Sequence, residues 1–148
     1  MDKKIKKIGV LTSGGDAPGM NAAIRAVVRT ALSSQMEVIG IRKGYHGLIN
    51  GEIKEMSSRD VSNIINLGGT VLHTARSPEM LTIEGQKKAA AIYDILGLDA
   101  LIVIGGDGSY RGMGEVGKFG VNRTGVPATV DVDMEGKHYT IGVGTAVN

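Results

Sequence analysis

The chain has 148 residues, is 42% apolar, and carries 17 Lys and Arg against 15 Asp and Glu. One domain of that size buries roughly 68–70% of its unfolded surface, so disorder is excluded and no covalent staple is needed. Cys is absent, which removes disulfides and thiolate metal sites. A 3% aromatic share and a net charge of +2 provide neither a base-stacking platform nor a broad basic face, so no nucleic-acid partner is expected.

Glycine stands out, at 23 residues without a repeat period. The excess marks places where backbone turns tightly or approaches something closely. The basic start Met1 to Lys7 leads into Ile8-Gly9-Val10-Leu11 and then Thr12-Ser13-Gly14-Gly15-Asp16. That apolar stretch is shorter than the ~7–15 residues of a leader, and no run approaches the ~18 that span a bilayer. A cytoplasmic setting without membrane contact is expected, with Asn122-Arg123-Thr124 a chance sequon.

In chain order, Lys6 to Thr12 is an apolar run ending on glycines, which predicts a buried strand and a turn. Met20 to Ser34 places Ile24, Val27, Val28, Ala31 and Leu32 at helical spacing. Glu37 to Arg42 predicts a second strand, completing a βαβ unit. Ile49 to Met56 suggests a short strand around Ile53. Ser58 is placed as the N-cap of a short helix running through Asp60 to Asn66. Thr70 to His73 is assigned to another strand and Ile83 to Leu96 to a helix. Ala100 to Ile104 is a continuous apolar run of the kind buried on both faces in parallel sheets. A helix from about Ser109 to Phe119 and a strand from Thr124 to Val130 complete the pattern. The alternation predicts an α/β, three-layer, Rossmann-like fold: one domain over residues 1–148, its mostly parallel sheet covered by helices on both faces. Thr140 to Asn148 resembles the opening of an unfinished helix, so the chain is expected to be one piece of a larger protein.

Ligands of open parallel sheets bind at the carboxyl ends of the strands. Three acid-bearing turns should arrive there: Thr12 to Asp16, Gly105 to Ser109, and Thr129 to Asp133. Glycines let backbone N–H groups approach an anion, and a following helix adds its positive end. Carboxylates repel phosphate, so they make sense beside it as Mg²⁺ anchors or a general base. Together these parts describe a phosphoryl-transfer site. Neither G-x-G-x-x-G nor a Walker A loop is present, which weakens the dehydrogenase and P-loop alternatives.

Leu11 to Ala22 (LTSGGDAPGMNA), Ile104 to Ser109 (IGGDGS) and Pro127 to Asp133 (PATVDVD) resemble the signatures of the ATP-dependent 6-phosphofructokinase family. The similarity runs from about Lys4 to Asn148 and corresponds to the N-terminal portion of the family subunit. The first motif is highly specific, whereas Gly-Gly-Asp-Gly also occurs in NAD kinases and diacylglycerol kinases.

The resemblance implies transfer of the γ-phosphoryl of ATP to the 1-hydroxyl of fructose 6-phosphate. Gly15 would stabilise the moving phosphoryl group through its backbone N–H. Asp107 would hold Mg²⁺, with Gly106, Gly108 and Ser109 around the nucleotide phosphates. Arg76 would neutralise those phosphates, and Ser77 and Tyr45 would lie beside the nucleotide. Asp131 would be the general base, Thr129 would orient the attacking oxygen, and Thr129, Val130 and Asp131 would contact the sugar phosphate. Arg25 and Arg29 match positions that bind an allosteric nucleotide between subunits of a homo-oligomer, a tetramer in the family. By spacing alone, those two arginines would be the wet face of a helix.

Two departures stand out: Val132 replaces the Asn usual between the two acids, and Ala128 replaces a Gly. Small residues at Gly108 and Ala128, where pyrophosphate-using relatives carry Asp and Lys, favour ATP as donor. The family's second domain supplies most of the grip on the sugar phosphate, and misplacement by ~1 Å can cost on the order of 10²-fold in rate. The chain by itself is therefore expected to be a weak or inactive catalyst. The alternative is a non-catalytic nucleotide-binding fragment or regulatory half.

Overall fold

A computed structural model describes residues 4–14, 19–105 and 117–127. Strand β1 (Lys7–Ser13) leads to helix α1 (Met20–Ser33) and strand β2 (Glu37–Ile41). Helix α2 (Gly44–Asn50) and the short strand β3 (Ile53–Glu55) follow, then 3₁₀ turns at Ser58–Val61 and Pro78–Leu81. Helix α3 (Ile83–Ile95), strand β4 (Ala100–Gly105) and strand β5 (Arg123–Pro127) complete the described residues.

The five strands form one sheet in the order β3-β2-β1-β4-β5. All neighbours pair in parallel except β3, which runs antiparallel on β2. Alternation along the strands divides the core in two. Ile8, Val10 and Ile102 pack under α1 residues Ile24, Val27 and Val28. Leu11, Leu101 and Val103 pack on the opposite face, under Leu48 of α2 and Ala89, Ala90 and Tyr93 of α3. Helices thus cover both faces of a mostly parallel sheet, as the sequence pattern predicts.

Two local expectations change. Thr70 to His73 does not join the sheet. Leu72 is buried under α1, β1 is already flanked on both sides, and His73 turns away with φ +63°. The helix expected from Ser58 to Asn66 is only the 3₁₀ turn Ser58–Val61, and its cap is Ser57. The Asp60 carboxylate accepts from the backbone N–H and hydroxyl of Ser57 at 2.8 and 3.0 Å. The Ser62 hydroxyl donates to the Arg59 carbonyl, competing with continuation of the helix.

Helix α2 has no counterpart among the expected elements, because its sequence GYHGLIN carries two poor helix formers. Burial of Tyr45, Leu48 and Ile49 overrides that propensity. The helix expected over Ser109 to Phe119 lies mostly outside the described residues, as does the end of the strand expected at Thr124 to Val130.

Candidate nucleotide site

Chain order determines where a ligand fits. β1 connects through α1 to β2 on one side, and β4 lies on the other. Strand order therefore reverses between β1 and β4, and a crevice opens at the carboxyl ends of such a pair.

The register brings three exits level. Ser13 of β1 pairs with Gly105 of β4, and Gly105 pairs with Pro127 of β5. Neighbouring strands lie about 4.8 Å apart, so all three exits fall within about 10 Å. Gly15, Asp107 and Asp131 follow these exits by two, two and four positions along the chain. Those three residues, with Gly106, Gly108, Ser109, Thr129 and Val130, lie outside the described residues.

Tyr45, Arg76 and Ser77 gather at the same edge. Thr12 is fully buried near the end of β1. Its Oγ1 lies 3.0 Å from Thr70 Oγ1 and donates to the His73 carbonyl at 3.1 Å. The backbone N–H of Lys43, just after β2, donates to the Leu72 carbonyl at 2.8 Å. Gly44, at φ +60°, meets the same edge: a Cβ there would stand 2.9 Å from the Thr12 carbonyl oxygen and 4.0 Å from that of Ala75. Glycine is the residue that tolerates this approach.

Tyr45 directly follows Gly44, and Arg76 and Ser77 directly follow Ala75. The three residues expected beside a nucleotide therefore issue from one backbone junction at the end of β1. Arg76 is exposed and Ser77 is half-buried. The Tyr45 ring is buried in the core under α2 and α3. Burial pushes its hydroxyl pKa upward, while the Arg123 guanidinium pulls the other way.

Arg25 and Arg29 lie elsewhere. At about 1.5 Å per residue they sit well down α1 from its start at Met20. Arg29 is exposed, as a wet helix face requires, but Arg25 is half-buried. The Arg25 Nε is fully buried and finds no hydrogen-bond partner among the described residues.

Asp107 has the hard oxygen donors that suit Mg²⁺. Among the described residues, no group of three or more His, Asp or Glu could hold a metal. No described helix is long and apolar enough to cross a membrane.

Sequence reasoning missed two residues of this edge, Asn21 and Thr70. Asn21, 3% exposed, accepts from the Val71 N–H at 2.7 Å and donates to the Leu67 carbonyl at 3.2 Å. A polar residue one position inside an otherwise apolar helix start was the available signal.

Comparison with known proteins places the chain in a family. Residues 7–148 match the family model described as phosphofructokinase. The chain is 57% identical to an ATP-dependent 6-phosphofructokinase of Clostridium tetani over 97% of its own length and 45% of that protein. Identity to the Clostridium botulinum (strain Hall) counterpart is 56%, with the same coverage. The crystal structure of Pichia pastoris phosphofructokinase in the T-state superposes with a TM-score of 0.76 at 36% identity, covering 88% of this chain and 17% of that one. The chain thus spans about half the length of the curated relatives it matches. With a family model covering nearly all of its residues, the chain belongs to the phosphofructokinase family.

Proposed function

We propose that this chain serves ATP-dependent phosphorylation of fructose 6-phosphate at its 1-hydroxyl, with residues 1–148 forming one nucleotide-binding domain. The observation that carries this reading is the level alignment of Ser13, Gly105 and Pro127, from which the three acid-bearing turns depart. The names of the clostridial relatives supply the donor and the acceptor class.

On this reading the phosphate tail of ATP lies in the crevice between β1 and β4. The Gly15 N–H meets charge spreading onto the γ-phosphoryl group. Gly106, Gly108 and Ser109 line the phosphates, and the Arg76 guanidinium, free to face solvent, neutralises them. Ser77 flanks the nucleotide, with Tyr45 behind it at the same junction, its ring in the core. Asp107 would hold Mg²⁺, which would supply positive charge to offset that of the phosphates. Asp131 takes the proton of the 1-hydroxyl as that oxygen bonds to the γ-phosphorus and the bond from phosphorus to the bridging oxygen breaks, releasing ADP, while Thr129 orients the attacking oxygen and Val130 contacts the sugar phosphate. Val132, next to Asp131, offers no hydrogen bond to steady the base.

Arg25 and Arg29 belong to a second, anion-binding site for an effector nucleotide, between subunits of a cytoplasmic homo-oligomer. The buried, unpartnered Nε of Arg25 supports that assignment. Coupling fructose bisphosphate formation to a spectrophotometric readout tests the main reading. ATP-dependent turnover of fructose 6-phosphate supports it. Nucleotide binding without turnover supports a non-catalytic nucleotide-binding half instead.

A further inference from the structure

Residues 62–77 form neither helix nor strand, yet this segment carries Arg76 and Ser77 to the sheet edge. A long stretch without its own secondary structure is uncommon in a compact domain and is usually functional. Such a segment has no ladder to hold it, so its placement depends on side chains elsewhere.

Its attachments are few and lie at least partly buried, one of them the Lys43 N–H donating to the Leu72 carbonyl. Asn21, on the first turn of α1, grips the segment twice: its Nδ2 donates to the Leu67 carbonyl and its Oδ1 accepts from the Val71 N–H. Thr12, at the end of β1, meets it through Thr70 Oγ1 and the His73 carbonyl. Thr70 Oγ1 also accepts from the Leu72 N–H at 3.1 Å, closing the turn on itself. Leu72 and Ile64 anchor the apolar side. After His73 the segment becomes largely exposed.

Thr12 and Asn21 flank the first glycine turn, one on the strand that enters it and one on the helix that leaves it. The two ends of that turn therefore hold the segment that delivers Arg76. We infer that Thr12 and Asn21 are positioning residues, which set the Arg76 guanidinium relative to the end of β1 through their hydrogen bonds to residues 67–73. The inference rests on the proposed function, because Arg76 is taken to act on the phosphates of ATP.

A purely structural role would lower stability without depending on Arg76. The positioning role makes a different demand. Losing the Thr12 hydroxyl should matter to ATP only while Arg76 is present.

The test is calorimetric titration of the 148-residue chain with Mg-ATP, combined with amide hydrogen exchange. Thr12→Val, a near-isosteric change, is expected to weaken ATP binding about tenfold, the worth of roughly one hydrogen bond's ordering. Exchange should quicken at Val71 and from His73 to Ser77, and Thr12→Ser should restore both readouts. In the Arg76→Ala background, Thr12→Val should weaken binding no further. Thr70→Val removes the facing hydroxyl and should repeat the pattern, which covers a Thr12→Val chain that does not fold.

Equal ATP affinity in Thr12→Val and the parent would overturn the positioning role while leaving the proposed function intact. So would additive losses with Arg76→Ala. A parent chain that binds no nucleotide would instead overturn the proposed function, and this inference with it.

Discussion

The two ends of the sheet are built differently. At the amino end, where β1 and β4 begin, the Asp99 carboxylate accepts from the backbone N–H groups of Lys6 and Lys7 at 2.9 and 3.1 Å. The Asn122 amide donates to the Asp99 carbonyl, and the Asn122 N–H donates to the Tyr93 hydroxyl. These contacts close strand starts with local polar clamps. At the carboxyl end the backbone exits through glycines, two non-glycine residues (Lys43 and His73) take positive φ, and threonine hydroxyls are buried. Positive φ is not confined to that end, since Gln35 just before β2 shares it, but the buried Thr12 and Thr70 hydroxyls meet there. One end clamps strand starts, and on the proposed function the other meets the ligand.

The sharpest test of that division is Asp131→Ser. Removing a general base is expected to lower phosphoryl transfer by about 10²–10⁴-fold, with ATP affinity unchanged. The coupled assay and a binding titration measure the two effects, and full activity would refute the role. Asp107→Ala should instead weaken Mg-nucleotide binding by about tenfold or more, read by calorimetry with and without Mg²⁺.

At the amino end the signs reverse. Asp99→Ala is expected to lower unfolding free energy by about 1–3 kcal/mol, because two strand N–H groups lose a charged acceptor. Urea denaturation measures that loss, and the folded variant should bind ATP like the parent. A change in ATP affinity would show that the two ends are not separable.

The smallest effect concerns Asp60, away from both ends. Its carboxyl pKa lies below the ordinary 3.8, chiefly through its hydrogen bond to Lys54 and then through that from the Ser57 backbone. A depressed folded-state value adds stability above the unfolded pKa, and the gain fades as pH falls through the folded value. Asp60→Asn should therefore cost a few tenths of a kcal/mol at pH 7, the scale of an exposed cap and ion pair. In urea titrations that cost should shrink on acidification below about pH 3.8.

What the sequence disclosed follows the same geography. β1 and β4 were legible as apolar runs, and α1 as a stripe, because burial on a regular element leaves a period. Residues 62–77 were not legible, since partners such as Thr12 and Asn21 lie more than 40 positions away. No local period records such contacts. The same holds for α2, whose glycines argue against a helix until Tyr45, Leu48 and Ile49 find the core. Motif resemblance named Tyr45, Arg76 and Ser77. Spacing alone treats Arg76 as an ordinary surface charge, and only the fold carries all three to the end of β1. For Arg25 the wet-face expectation held only in part, because its Nε is buried.

A crystal structure of the chain with Mg²⁺ and a non-hydrolysable ATP analogue tests the central claim most directly. The account predicts the triphosphate in the crevice between β1 and β4, with the Gly15 N–H and the carboxylates of Asp107 and Asp131 turned toward it. A nucleotide bound elsewhere, or those three groups facing separate surfaces, would contradict it.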